Sequence, residues 1–442
     1  MFRTIMAANR AEVTARILKT CRKMNIRCVV IATDVDKELQ FLEDFDQVLS
    51  LGDRREYLNR EKILQLAKEN QVAAIHPGWG FLSEDSTFAS MAEALGIYFI
   101  GPTAGSMRMM ADKAKAREIM TELGLHPIPG VDGVLNGAQH AKKMADTVGY
   151  PVLLKAVAGG GGRGMRRVFK PEELEDAYLS ASAEALSAFG NGAMYMEKLI
   201  IGGRHIEFQV LSDGKEAWVF PERECSVQRR HQKLIEETPS VMVQDAQREE
   251  LRAKIREVCI AIGYRGAGTI EMLGDRDGNL YFMEMNTRLQ VEHTITEEIT
   301  GIDLAEQQIR IAANETINPS TEHCGHAIQC RINAESVVDD FRPTPGLITK
   351  LQWPKGEGIR VDTHLKEGDR VSPHYDSMIA KLIVSAATRE EAIQKMLAAL
   401  RDTVIEGVPT TISLHQAVLR SEPFQAGNYD TKFLENHLEA LL

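Results

Sequence analysis

The first hundred residues constrain the fold most, because they alternate short β-rich runs with helix-like stretches. The runs RTIMAAN, CVVIATD, AAIHPG and YFIGP are separated by segments such as AEVTARILKTCRKMN and REKILQLAKENQ. Parallel strands need long crossovers, so this alternation predicts a parallel sheet covered by helices. The first strand-to-helix turn, AANRAEV, carries no glycine. A dinucleotide fold needs glycines there to bring backbone against a pyrophosphate, which argues against a nicotinamide enzyme.

Further along, a helix from about Ala111 (DKAKAREIMTELG) leads through HPIPGVDG into GYPVLLKAV, a glycine loop and a helical stretch ending near YMEKLI, which reads as a small α/β lid. The runs HIEFQVLSDG, AWVFPERE, GAGTIEML and NLYFMEMN then predict an antiparallel sheet, followed by a helix-rich and then mixed segment from Cys324. At 442 residues the chain exceeds one core, and its 44% apolar content suffices for two or three packed units.

An excess of 63 acidic over 52 basic side chains excludes a nucleic-acid binder that neutralises phosphates over a broad surface. Six scattered cysteines without a CxxC pair suggest neither a zinc site nor disulfides, and fit reduced thiols in the cytoplasm. The opening MFRTIMAANR has no long apolar core behind a basic flank, and no stretch approaches the roughly 18 apolar residues that cross a bilayer.

The run Glu284-Met-Asn286-Thr-Arg288-Leu-Gln290-Val-Glu292 alternates polar and mostly apolar residues, so as a strand it would place five polar heads on one face. A solvated strand face is the ordinary explanation of such a pattern. Against it stands the preceding GTIEMLGDRDGNLYFMEMN, a hairpin candidate around the Asp277-Gly278 turn. If Arg276 faces Asn279, equal steps outward put Glu271 opposite Glu284, an unfavourable pair unless a cation compensates. The oxygen set Glu271, Glu284 and Asn286 suits magnesium or manganese against nucleotide phosphates. A straight strand would separate Glu284 from Glu292 by roughly 26 Å, too far for one small site. The expectation is therefore two subsites, with metal ligands first and then Arg288, Gln290 and Glu292 around a small anion.

VLLKAVAGGGGRGM places Lys155 at the end of a β-rich run before four glycines, a loop able to close backbone amides over phosphates. It is not a Walker loop, which needs Gly-Lys-Ser/Thr. A bare flexible linker is the weaker reading, since the loop adjoins a lysine-bearing strand. ERECSVQRRHQKLIEE gathers Arg229, Arg230, His231 and Lys233 in an acidic chain; such runs are usually solvated faces unless they meet an anion.

Taken in order, HPGWGFLSED, KAVAGGGGRGM, MEKLIIGGRHIEFQ, ERECSVQRRHQK, RGAGTIEM, MEMNTRLQVEH and QCRINAE resemble the motif series of the biotin carboxylase family over essentially the whole chain. The resemblance implies an α/β protein of three parts: a Rossmann-like N-terminal domain (1–112), an ATP-grasp domain (113–318) with a mobile lid at about 130–200, and a mixed α+β C-terminal domain (319–442). By the same similarity Lys113 and Lys155 contact ATP phosphates and the loop at Gly161 and Gly162 closes over them. Glu197, Lys198 and Leu199 match the adenine-contacting hinge. His205, Gln228 and His231 match further nucleotide contacts, and Glu271, Glu284 and Asn286 match the ligands of two Mg2+ or Mn2+ ions. Lys233, Arg288, Gln290 and Val291 correspond to the bicarbonate pocket, Glu292 to its base, and Arg331 to the residue that stabilises the biotin enolate.

The implied reaction passes from bicarbonate and ATP through carboxyphosphate to CO2 beside biotin. The family usually has glycine where this chain has Ala11 and Ala158, proline at Thr294, and aspartate at Ser336. The main rival is another ATP-grasp ligase, against which the RLQVEH and CRINAE pair speaks. A noncatalytic relative would have lost catalytic heads, and all are present. The chain has no Met-Lys-Met biotin-attachment signature, and the carboxyltransferase is expected on another subunit. The expected partners are therefore a separate biotin carboxyl carrier protein, carboxyltransferase subunits and a second copy in a homodimer, with no nucleic acid and no membrane.

Overall fold

In the computed structural model, which describes residues 1–131, 133–157 and 164–441, the chain divides into two units. The first gathers Met1–Asp112, His205–Glu271 and Glu284–Leu442, and the second gathers Lys113–Arg204 and Met272–Met283.

The first unit opens with the parallel sheet that the alternation predicts. Its order is Gln47–Gly52, Arg27–Thr33, Thr4–Ala7, Ala74–His76, Tyr98–Phe99, with every neighbouring pair parallel. Successive side chains point to opposite faces, and both faces are covered. Ile5, Cys28 and Val30 pack with Val13 and Ile17 of the helix Glu12–Lys23, while Met6, Val29, Ile31 and Ile75 pack with Ile63 and Phe88. Asn59 and Asp85 start the helices Arg60–Glu69 and Ser86–Ala94 by accepting backbone N–H groups of Lys62 and Phe88. Gln47–Gly52 escaped the sequence reading because it is an edge strand whose exposed residues break the apolar run. Ala11, where the family usually has glycine, sits at φ 58° and ψ −138°, in the left-handed half of backbone space that a side chain disfavours.

The same unit contains most of an eight-stranded sheet. Its order is Leu280–Asn286, Arg265–Gly274, Arg204–Asp213, Ala217–Arg229, Gln232–Thr238, His326–Asn333, Met378–Ala386, Ile359–Thr363. From Arg204–Asp213 onward each neighbouring pair is antiparallel. Three strands thus come from the C-terminal segment and continue the sheet without interruption.

Two expectations about this sheet are corrected. The hairpin closes with the Asp275 N–H on the Asn279 carbonyl at 2.9 Å and the Gly278 N–H on the Asp275 carbonyl at 3.2 Å. The loop has three residues, with Gly278 at φ 86°, and Arg276 does not face Asn279. The Asp275 carboxylate, accepting from the Asp277 and Asn279 N–H groups, the Asn279 amide and the Tyr281 hydroxyl, favours this wider turn. The count that opposed Glu271 to Glu284 loses its starting point. Nor does the strand run to Glu292: it ends at Asn286, and the chain turns before the helix His293–Thr300. The polar heads from Glu284 to Glu292 do not share one strand face.

The second unit holds a three-stranded antiparallel sheet, ordered Met165–Val168, Val152–Ala156, Met194–Lys198. The helices Ala138–Val148 and Leu174–Phe189 cover it through Ala141, Ala145, Leu174, Ala181 and Ala185, against Val152, Leu154, Met194 and Met196. Among the described residues no helix is long and apolar enough to cross a membrane.

Candidate active site

Strand alternation builds the centre of the first unit. On Arg204–Asp213 the buried polar residues His205, Glu207 and Gln209 alternate with Ile206, Phe208 and Val210. On that polar side Lys233 donates to three carboxylates: Glu207 Oε2 at 2.6 Å, Glu271 Oε1 at 3.0 Å and Glu292 Oε1 at 2.6 Å. Arg223, fully buried, donates from Nε to Glu207 Oε1 at 2.6 Å and from its other nitrogens to Gln209, Thr296 and Thr269. Arg331 bridges Glu236 (Nε to Oε1, 2.5 Å) and Glu292 (Nη2 to Oε2, 2.9 Å). The His205 Nε2 lies 3.4 Å from Glu207 and 3.6 Å from Glu271.

Isolated buried charges are costly, so the signs must match. Burial alone would raise the carboxyl of Glu292, but Lys233 and Arg331 outweigh it and hold the group below its ordinary value. Burial likewise opposes ionisation of Glu207 and Glu271, and Lys233 overcomes it in both. Burial and Lys233 would lower His205, yet its two carboxylate neighbours bring it up to about 9. Glu236 stays raised, because burial there exceeds the pull of Arg331. Lys233, Arg223, Arg331 and His205 as cations thereby face Glu207, Glu236, Glu271 and Glu292.

The turn from Thr287 to Glu292 is pinned from both sides. Glu84 accepts the Thr287 N–H at 2.9 Å and Arg288 Nε at 3.0 Å. Arg288 also donates to Gln290 Oε1 at 2.9 Å and Asn286 Oδ1 at 3.2 Å, and Gln290 Nε2 donates to Glu271 Oε1 at 3.1 Å. Fully buried Lys381, ion-paired to Glu12 at 2.8 Å, donates to the Val291 carbonyl at 3.2 Å. The bend thus joins the two expected subsites into one network through Gln290 and Glu271.

Of the residues singled out by sequence, Lys233, His205, Glu271, Asn286, Arg288, Gln290, Glu292 and Arg331 are brought together. Glu284 stands exposed two positions before Asn286 on the same strand. Gln228 donates to the carbonyl of Cys225 at 2.8 Å, and His231 is exposed at the following turn with φ 67°. In the second unit Lys155 is hydrogen-bonded to Glu197, which also accepts from Arg117 at 2.5 Å. Lys198 donates to the carbonyls of Gly149 and Tyr150 at 2.8 and 2.9 Å, the Leu199 N–H donates to Pro151, and Lys113 begins the helix Lys113–Glu122. Gly161, Gly162 and Ala158 lie outside the described residues. Sequence reasoning passed over Glu84, Glu207, Arg223, Glu236, Gln329 and Lys381. Glu207 was detectable, since His205, Glu207 and Gln209 recur at every second position of an otherwise apolar strand.

Glu271, Glu284 and Asn286 supply hard oxygen donors, Glu271 is held ionised, and these properties fit a divalent cation such as magnesium. Ligand atoms of His205, Glu207 and Glu271, and of Glu207, Cys225 and Glu292, also cluster within 4.8 Å of one another. Lys233, Arg223, Arg331 and His205 already pair with the carboxylates of both clusters, so neither calls for an ion.

A parallel N-terminal sheet, a small antiparallel lobe and a buried carboxylate between a lysine and an arginine agree with the ATP-grasp ligase class that the sequence resemblance implies. The profile of the biotin carboxylase N-terminal domain matches residues 1–107, that of the carbamoyl-phosphate synthase L chain ATP-binding domain 112–320, and that of the biotin carboxylase C-terminal domain 329–436. Biotin carboxylase of Nostoc is 44% identical, over 98% of this chain and 99% of the relative. The 2-oxoglutarate carboxylase small subunit of Hydrogenobacter thermophilus is 44% identical, over 99% of this chain and 94% of that one. The biotin carboxylase domain dimer of the latter enzyme, crystallised with MgADP, ADP and bicarbonate, superposes with a TM-score of 0.94 at 43% identity, covering 100% of this chain and 99% of that one. Biotin carboxylase from Campylobacter jejuni gives 0.94 at 44% identity, with 99% of each chain covered. The chain belongs to the biotin carboxylase family, and its activity is the ATP-dependent carboxylation of biotin.

Proposed function

We propose that the chain carboxylates biotin borne on a separate carrier protein, using ATP and bicarbonate and passing through carboxyphosphate. The observation that carries this assignment of roles is the buried Glu292 carboxylate, held at one oxygen by Lys233 and at the other by Arg331. Glu292 takes the proton of bicarbonate, which Lys233, Arg288, Gln290 and Val291 orient. The activated oxygen forms a bond to the γ-phosphorus as the bond to ADP breaks. Carboxyphosphate then splits into CO2 and phosphate, phosphate removes the ureido proton, and the freed nitrogen bonds to CO2. Arg331 holds the negative oxygen formed on biotin during that step.

On the nucleotide side, Lys113 and Lys155 take the phosphates under the loop of Gly161 and Gly162. Glu197, Lys198 and Leu199 take the adenine end, and His205, Gln228 and His231 provide further contacts. Glu271, Glu284 and Asn286 would hold Mg2+ or Mn2+, which when bound offsets charge on the phosphoryl oxygens. A carboxyltransferase subunit receives the product, and the working form is a homodimer, a reading supported by the dimer crystallised from the Hydrogenobacter relative. Six free cysteines support a cytoplasmic setting. The test is ATP hydrolysis that requires bicarbonate and rises with free biotin; hydrolysis indifferent to bicarbonate refutes the reading.

A further inference from the structure

Gln329 lies two residues before Arg331 on His326–Asn333, on the same face of the strand, and stands directly opposite Glu236 across the ladder. Its Nε2 donates to Glu236 Oε2 at 3.0 Å, while Glu236 Oε1 accepts from Arg331 Nε at 2.5 Å. The other end of the same amide, Oε1, accepts the hydroxyl of Thr294. Thr294, Gln329 and Glu236 have no exposed surface. Since Arg331 also bonds Glu292, the hydrogen bonds run from Thr294 through Gln329, Glu236 and Arg331 to Glu292, two residues before the starting point.

The chemistry of the groups fixes the direction of this ring. With one Glu236 oxygen taken by Arg331, Gln329 turns its amide nitrogen to the other and its own oxygen away. That buried oxygen then needs a donor, and the Thr294 hydroxyl supplies it. Without the hydroxyl the acceptor is left unpaired, and the amide has no reason to keep the orientation that serves Glu236. Glu292 keeps a separate hold through Lys233 at its other oxygen. The proline that the family usually carries at position 294 has no hydroxyl and could not close this ring.

We infer that Thr294 and Gln329 are positioning residues for the acceptor half of the reaction: they orient Glu236, which sets the plane of the Arg331 guanidinium where negative charge forms on biotin. The inference rests on the assignment of Arg331 to biotin above. The test uses the full chain with Mg-ATP and bicarbonate and takes two readings, ATP cleavage without biotin and its stimulation by free biotin. Thr294→Val and Gln329→Leu should lower the biotin-stimulated rate about tenfold and raise the KM for biotin, while cleavage without biotin stays within about twofold. Thr294→Ser, which restores the hydroxyl, should return both readings to the parent's. If both readings of Thr294→Val fall together with its thermal midpoint, the role is merely structural and the inference is overturned; unchanged readings overturn it equally. A parent chain that cleaves ATP without bicarbonate would instead refute the proposed function.

Discussion

Replacing Glu237 by glutamine should cost the first unit about 3 kcal/mol of stability at pH 7, and the cost should shrink in acid. Glu237, on Gln232–Thr238, accepts His326 Nε2 at 2.8 Å and Arg389 Nε at 2.7 Å on one oxygen, and Arg389 Nη2 at 3.1 Å and the Tyr429 hydroxyl on the other. Burial would raise this carboxyl, but His326 and Arg389 prevail and hold it at about 2, against an ordinary value of 4.5. A depressed carboxyl contributes stability that is present above pH 4.5 and lost as pH falls through about 2. At about 1.4 kcal/mol per pKa unit the difference is about 3 kcal/mol at pH 7 and about 2 kcal/mol at pH 3.5. Trp79, Trp218 and Trp353 all lie in the first unit, so tryptophan fluorescence during urea unfolding reports the relevant transition. A Glu237→Gln midpoint equal to the parent's at pH 7, or a gap that widens on acidification, would refute this reasoning.

Lys233→Met leaves three buried carboxylates without their shared cation; bicarbonate-dependent ATP cleavage should fall at least about a hundredfold and stability by about 3 kcal/mol. Retention of half the activity would show that Lys233 does not organise the pocket. Glu271→Gln should weaken magnesium-dependent ATP binding about tenfold, measured by titrating magnesium at fixed ATP. Unchanged binding in both this variant and Glu284→Gln would remove the proposed metal set. Ala11→Gly should raise the urea midpoint, relieving backbone strain worth about 1 kcal/mol at φ 58°; a lower midpoint would mean that the neighbouring structure has already absorbed it.

The order of elements was legible wherever local pattern and tertiary environment agree. The apolar runs CVVIATD and AAIHPG are buried between helices on both faces, and they read as what they are. The hairpin misled because Asp277-Gly278 is a sound two-residue turn signal, while the side chain of Asp275 organises a longer loop that no dipeptide rule contains. The segment after Asn286 misled because a polar alternation is the same in a strand and in a turn tethered by Glu84, some two hundred positions earlier. The residues proposed for catalysis were picked out through their ordered motifs. Their supports Glu236 and Gln329 were not, since their meaning lies in cross-strand pairing between segments far apart in sequence.

The continuity of the eight-stranded sheet sets a timetable for synthesis. Gln232–Thr238, which carries Lys233 and Glu236, has Ala217–Arg229 available early, but its other edge is closed only by His326–Asn333. Until the ribosome has passed Asn333, that edge offers unpaired backbone to any passing strand. A nascent chain stalled near residue 320 is therefore expected to be an aggregation-prone intermediate, and one released beyond Ala386 a chain able to seal its own sheet.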